Sequence, residues 1–171
     1  AVALLAAGAK VNQAANSGAT PLIVACKKGH TEIAAALLAA GAKVNQAKDS
    51  GYTPLYWACH FNRLSAVQLM SSYGADRTFE LRGLVGYMVG PLQMTAELVA
   101  THAHRGDDAV REWLARSRQW TTALHHIAII GADRARALLR GGADLRAAAA
   151  GADAPTPLSL AERLRAEGSA P

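Results

Sequence analysis

The chain has 171 residues, of which 51% are hydrophobic, 18% charged and 5% aromatic. This composition excludes an intrinsically disordered chain, which has too little apolar surface to bury, and the length suffices for one ordinary domain. The formal net charge of +5 is compatible with an acidic partner, an anionic surface or nucleic acid, and does not select among them.

The positive charge is concentrated in the first half of the chain. Residues 1–75 contain six Lys and Arg residues and two acidic residues, whereas the remainder contains 12 Lys and Arg residues and 11 acidic residues. Every lysine also lies in that half: Lys10, Lys27, Lys28, Lys43 and Lys48. The surplus charge therefore belongs to the N-terminal half.

The first 22 residues return almost unchanged further along the chain. Residues 1–22 and residues 34–55 are identical at 18 of 22 positions, at an offset of 33. A period between about 20 and 50 residues is typical of a solenoid, in which each unit stacks on its neighbours. The first helix begins in mid-pattern, so we expect the chain to be a piece of a longer array.

Turn and cap residues mark the helices in chain order. Gly8 suits the left-handed position after a helix, and Thr20 followed by Pro21 suits the start of the next. The pattern predicts a helix from Pro21 to about Lys28 that ends at Gly29, and a second from about Thr31 to Ala40. The sequence thus predicts helix–turn–helix units joined by polar connectors.

The two cysteines, Cys26 and Cys59, are one period apart and occupy equivalent positions. That spacing favours two buried small hydrophobic residues over a disulfide or a metal pair. Reduced thiols indicate an intracellular compartment, cytoplasmic or nuclear. No apolar run approaches the ~18–20 residues that span a bilayer, and no basic segment precedes the first apolar stretch, so we expect neither a membrane anchor nor a signal peptide.

The next unit keeps the pattern with two changes and a longer connector. Asn62 replaces the glycine after the first helix, and Ser71 replaces a core leucine, which weakens packing. The connector from Gly74 to Thr95 spans 21 residues, against 12 from Gly41 to Thr53. We interpret the excess as an elongated loop, either a tolerated insertion or a partner-binding loop. Its apolar residues are expected to fold back onto the array: Leu84, Val85, Tyr87 and Met88.

Three further helix signals follow this loop. Thr95 is the expected restart, and Gly106, Val110 and Leu114 align with the earlier repeat. Another unit starts near Thr122, and one residue is missing between Gly131 and Leu138. The last helix begins at Thr156 and is expected to expose polar side chains at its end: Glu162, Arg163 and Arg165.

The segment TPLIVACKKGHTEIAAALLAAGAKVN at residues 20–45 resembles the ankyrin repeat, whose pattern reads roughly TPLHxAAxxGHxEIVxxLLxxGADVN. It departs from that pattern at Ile23, where the family usually has His, and at Lys10 and Lys43, where it usually has Asp. The resemblance implies an all-α solenoid of stacked helix–turn–helix units with projecting hairpin-like loops. Over residues 1–171 it implies a single ankyrin-repeat domain with degenerate C-terminal repeats. The expected parts are the end of a truncated repeat (1–14), two repeats (15–47 and 48–76), an irregular repeat with the loop insertion (77–118), a repeat (119–146) and a terminal half-repeat (147–171).

The resemblance also implies a function. Ankyrin proteins usually bind other proteins through a concave face of loop tips and first helices. From the residues themselves we expect no catalysis, cofactor, metal or small-molecule substrate. Lysines on that face favour an acidic protein partner, and aromatic residues supply anchors. The positions that match the variable sites of the face are Asn16, Ser17, Lys27, Lys28, Lys48, Asp49, Ser50, Tyr52, His60 and Phe61.

Two alternatives stay open at this point. The basic N-terminal half is compatible with binding of nucleic acid or another polyanion, although no basic helix or RNA-stacking motif accompanies it. The chain is also compatible with a purely architectural role as the C-terminal part of a larger multidomain protein. A metal site is disfavoured because neither His102 with His104 nor His125 with His126 has the i,i+4 spacing of zinc helices. No phosphate-binding loop or nucleophile elbow indicates an enzyme.

Overall fold

The computed structural model describes residues 7–81, 84–85, 88–89, 92–103, 109–118, 120, 123–144, 146 and 155–167. The chain forms two compact units, residues 1–115 and residues 116–171. The boundaries predicted for the individual repeats stay a prediction.

The first unit contains two helix pairs built alike. The pairs are α1 (Pro21–Lys28) with α2 (Thr31–Ala39), and α3 (Pro54–His60) with α4 (Leu64–Ser72). Two more helices follow in the chain, α5 (Ala96–Ala103) and α6 (Ala109–Arg116). The first helices stack in the order α1, α3, α5, and the second helices α2 and α4 pack against each other. This stacking confirms the helical repeat fold predicted from the sequence.

Threonine caps start each first helix, as the sequence predicts. The Oγ1 atom of Thr20 accepts a hydrogen bond from the backbone N of Ile23 at 3.3 Å. Thr53 repeats this contact with Tyr56, and Thr95 repeats it with Leu98 at 3.2 Å. Each bond satisfies a donor that the first helical turn leaves unpaired. The predicted restart at Thr95 is therefore confirmed.

Residues with positive φ end the helices. Gly29 follows α1 with φ of 77°, and Gly41 and Gly74 lie in the same left-handed region. Asn62 takes over from glycine after α3 with φ of 52°, which confirms its predicted role, because a short polar side chain tolerates this conformation better than most.

The core of the first unit lies between the stacked helices. Cys26 and Cys59 are both fully buried and free, as their spacing predicts. Ser71 is buried where the repeat pattern expects leucine, and its hydroxyl has no hydrogen-bond partner among the described residues. The weaker packing predicted at this position stays a prediction. Other fully buried side chains of this core include Leu22, Leu55, Ala58, Val67 and Met70.

Asparagines join each connector to the next. The Oδ1 atom of Asn12 accepts a hydrogen bond from the backbone N of Lys43 at 2.9 Å, and Asn45 accepts the same bond from Asp76 at 2.9 Å. The side-chain amide of Asn45 also donates to Oδ2 of Asp76 at 3.1 Å. Lys43 offers no such acceptor, and the amide of Asn12 donates to the carbonyl of Gly41 instead. The Asp76 joint therefore gains a side-chain bond that the Lys43 joint lacks.

The loops between repeats are closed as small hairpins. Backbone bonds link Ala15 to Ala19 in the first loop and Lys48 to Tyr52 in the second, each at 3.0 Å. Gly18 and Gly51 have positive φ in the two loops, and each lies close to the backbone of the next connector. The loops therefore stack on one another, as the prediction of projecting hairpin-like loops requires.

The elongated connector contains strands instead of an irregular loop. Strand β1 (Thr78–Leu81) pairs antiparallel with β4 (Leu92–Thr95), and β2 (Leu84–Val85) pairs with β3 (Met88–Val89). Phe79 and Leu81 are buried while Thr78 and Glu80 are exposed, which is the period-2 alternation of a half-buried strand. The inner face of β1 thus folds onto the array. Tyr87 lies outside the described residues.

The second unit contains a 3₁₀ turn (Ala123–His126), α7 (Ile127–Arg140) and α8 (Pro157–Glu167). The helix α7 continues through Gly131, where the first repeats would turn. At the start of α8, the backbone N of Thr156 donates to Oγ of Ser159 and the backbone N of Ser159 donates to Oγ1 of Thr156. This reciprocal cap fixes the helix start. Glu162, Arg163 and Arg165 are exposed, as predicted.

Candidate functional site

An aromatic cluster lies on one side of the first unit, built by the second loop and α3. Tyr52 precedes the cap residue Thr53, and the others lie at positions i, i+1, i+4 and i+5 of one helix face. Because α3 stacks between α1 and α5, its side chains on this face are supported from both sides. We refer to the set as the aromatic cluster: Tyr52, Tyr56, Trp57, His60 and Phe61.

Trp57 lies at the centre of the aromatic cluster. Its ring centroid is 5.4 Å from that of Tyr52, 5.4 Å from that of Tyr56 and 5.8 Å from that of Phe61. The His60 ring meets it edge-on at 5.7 Å. The indole N–H is buried and has no acceptor among the described residues. Ring packing therefore holds Trp57 in place.

Two lysines from different repeats converge on this ring. The Nζ atom of Lys27, on α1, lies 4.9 Å from the Trp57 centroid and 5.5 Å from that of Phe61. The Nζ atom of Lys48, in the second loop, lies 6.0 Å from the Trp57 centroid. Such cation–π contacts each contribute about 0.5–1 kcal/mol at exposed sites. In the part of the chain that the structure describes, neither ammonium group forms an ion pair.

The remaining predicted binding residues lie around this cluster. Asn16 and Ser17 are exposed at the tip of the first loop, and Asp49 and Ser50 lie at the corresponding tip of the second. Lys28 is exposed at the end of α1. The structure thus brings together five of the ten predicted residues in direct ring or cation–π contact, and places the other five on the adjoining loop tips and helix end. The five in contact are Lys27, Lys48, Tyr52, His60 and Phe61.

Sequence reasoning missed Tyr56 and Trp57. A signal was present, because Trp57 lies one period after Val24, which occupies the outer face of α1 and is 49% exposed. An aromatic residue at an exposed repeat position indicates a binding surface more strongly than an aromatic residue in the core does. The pKa of Tyr56 is raised by burial and, to a smaller extent, by the nearby Tyr52, so this phenol stays neutral.

A cavity of about 460 Å³ adjoins the cluster between the second loop and β1. Its lining includes Lys48, Asp49, Asp76, Phe79 and Glu80. The Phe79 ring also meets that of Tyr56 edge-on at 5.9 Å. The strand that begins the elongated connector therefore borders the aromatic cluster.

No metal or membrane site emerges from the described residues. Within those ranges, no group of three or more His, Cys, Asp and Glu side chains is placed to hold a metal ion. Nor is any helix there long and apolar enough to cross a membrane. Cys26 and Cys59 are buried thiols, and burial raises the pKa of both. Protonated, inaccessible thiols are poor nucleophiles.

The pKa shifts of the two thiols predict a loss of stability at alkaline pH. Burial raises the pKa of Cys26 from 9.0 to about 12, and raises that of Cys59 as well, with a smaller contribution from Glu97. The unfolded chain ionises its thiols above about pH 9 while the folded chain keeps them protonated, so their contribution is complete below that pH and is lost as pH rises toward 12. We expect the free energy of unfolding to fall by roughly 1.4 kcal/mol per pH unit for each thiol in this window.

Urea unfolding between about pH 8 and pH 11 measures this slope. A chain with both Cys26→Ala and Cys59→Ala should lose stability less steeply with pH than the parent. Identical slopes for the two chains would show that other groups control the alkaline transition.

Stacked helix–turn–helix units with asparagine joints and hairpin loops define a helical repeat protein. Residues 1–79 match the family model for ankyrin repeats in three copies. That part of the chain is therefore similar to ankyrin repeats, as its resemblance predicts. Ankyrin repeats are generally protein–protein interaction modules and are typically non-catalytic. A search of curated proteins finds no match to the chain.

Proposed function

We propose that the chain is a non-catalytic, intracellular protein-recognition module that binds a protein partner through the face formed by its loop tips and first helices. The observation that carries this proposal is the aromatic cluster with its two converging lysines. Aromatic side chains in packed surroundings are the usual anchors of protein interfaces, each contributing about 2 kcal/mol or more when it is a hot spot. The proposed surface extends over the predicted residues on the adjoining loop tips.

The charge of this face favours an acidic partner. Lys27 and Lys48 converge on Trp57 without an ion pair among the described residues, and Lys28 is exposed at the end of the same helix as Lys27. An acidic partner would associate faster with such a surface, and its association would slow as salt is added. Free buried thiols support an intracellular setting.

Capture of a partner by the immobilised full chain tests the proposed face. Replacing Tyr52 and Phe61 together with Ala should weaken capture by at least about tenfold, since two anchors are lost. The matched control is Leu139→Ala, which removes a 40% exposed apolar side chain from α7. Equal capture by the parent and the Tyr52/Phe61 variant, with unchanged helicity, would refute the proposed face.

A further inference from the structure

We propose that the docking element of the partner is a linear acidic segment whose carboxylates bind the ammonium groups of Lys27 and Lys48 beside Trp57. This inference rests on the proposed function and deepens it, because it names the part of the partner that is recognised and the two groups that recognise it.

The geometry of the two lysines carries the inference. Their Nζ atoms lie 4.9 and 6.0 Å from the centre of the same indole ring, although the residues belong to α1 and to the loop before α3. Each ammonium group carries three N–H donors, and neither donates a hydrogen bond to another described residue. Two ammonium groups held beside one ring form a fixed pair of positions for anionic groups.

An extended peptide can present two carboxylates on one side. Side chains at alternate positions of an extended chain project from the same face about 7 Å apart. Because both Nζ atoms lie within 6.0 Å of the Trp57 centroid, two such carboxylates can each approach one ammonium group. Apolar parts of the same segment would contact the exposed surfaces of Tyr52 and Phe61, which are half-buried. Charge and shape at this position are thus complementary to an extended acidic segment.

The same contacts disfavour single-stranded nucleic acid. A base stacks on an open aromatic face, and such stacking contributes about 1–3 kcal/mol per base. Here the Lys27 ammonium lies over the rings of Trp57 and Phe61, and those two rings lie nearly parallel at an interplanar angle of 18°. Tyr56 is stacked with His60 at 10°. A base would have to displace these contacts, whereas a carboxylate adds to them.

The remaining lysines provide a control with the same change in net charge. Lys10 and Lys43 are exposed on the connectors, and no contact with the aromatic cluster is recorded for them within the described ranges. Lys27→Gln with Lys48→Gln, and Lys10→Gln with Lys43→Gln, each remove two positive charges. Only the first pair removes the ammonium groups beside Trp57, so a comparison of the two variants separates a defined site from general attraction to polyanions.

The test uses two labelled probes and the full chain. The probes are a hexaglutamate peptide capped at both ends and an oligothymidylate of about a dozen nucleotides, with binding followed by fluorescence anisotropy. We expect hexaglutamate to bind the parent chain. The Lys10/Lys43 variant should bind it within about twofold of the parent, and the Lys27/Lys48 variant about tenfold more weakly. All three chains should have the same helicity, and the Lys27/Lys48 variant should melt a few degrees below the other two, because it alone loses the cation–π contacts with the aromatic cluster.

Several results would overturn the inference. It fails if hexaglutamate does not bind, if the two lysine variants lose affinity equally, or if the oligothymidylate binds more tightly and depends on the same lysine pair. The partner captured by the full chain separates this failure from that of the proposed function. Capture that depends on Tyr52 and Phe61 but not on Lys27 and Lys48 refutes the acidic segment alone, whereas capture that depends on neither pair refutes both proposals.

Discussion

Replacing Gly51 with Ala is expected to destabilise the first unit by about 3 kcal/mol or more. Gly51 has φ of 86°, a conformation that penalises any residue with a Cβ atom. An added Cβ would also overlap the carbonyl oxygen of Glu80 in β1. The backbone would have to move at the point where the second loop packs against the elongated connector, so both the loop and the strand would shift.

Gly41, which lies at the end of the preceding helix α2, provides a control for this prediction. Gly41 has φ of 88°, but a Cβ atom there meets nothing within 4 Å among the described residues. Gly41→Ala should therefore carry only the conformational penalty, about 1 kcal/mol. Urea unfolding of both variants measures the difference. Equal destabilisation by the two substitutions would contradict the close contact between Gly51 and Glu80.

Replacing Phe79 with Ala is expected to have the second large effect, lowering the free energy of unfolding by about 3–5 kcal/mol. Phe79 is 2% exposed, and its ring meets Tyr56 edge-on. Removing it opens a cavity next to Tyr56 and leaves Leu81 as the buried side chain of β1. Partner binding should weaken as well, because Tyr56, which packs against Trp57, would lose one of its ring contacts.

Thr78→Ala is the matched control for Phe79→Ala. Thr78 lies on the exposed side of the same strand, so its loss should change stability by less than about 0.5 kcal/mol. Thermal unfolding followed by circular dichroism compares the two. If Phe79→Ala were as mild as Thr78→Ala, the strand would not be part of the core.

Local signals in the sequence predicted the helical repeats well, because the relevant interactions are short-range. A threonine cap acts within three residues, and a left-handed glycine acts at its own position. Thr20, Thr53 and Thr95 accordingly start their helices where the sequence placed them. The equivalence of Cys26 and Cys59 followed from the period alone.

The hairpin was harder to predict because its pattern is short and sits inside a repeat. The alternation at Phe79 and Leu81 covers a single four-residue strand, and the apolar run from Leu84 to Val89 is interrupted by two residues that include a glycine. Such an interruption is also a hairpin signal. The segment was interpreted as a loop because helical patterns flank it on both sides. In the second unit, the missing residue after Gly131 concealed that α7 would continue as one helix.

The candidate site was predicted in part for a related reason. Family-like positions identified the loop tips and the outer helix ends, including Tyr52 and Phe61. They did not identify Trp57, because its importance depends on long-range convergence: Lys27 and Lys48 reach the ring only after α1, the second loop and α3 have stacked. Contacts of this kind are set by tertiary packing and leave no local spacing in the sequence.

Hydrogen exchange of the full chain, alone and with its captured partner, tests the proposed recognition face most directly. Backbone amides from Lys48 to Phe61, which span the second loop and α3, should exchange more slowly in the complex, together with those at the end of α1. Unchanged exchange in these segments, with protection confined to α7 and α8, would contradict the proposed recognition face.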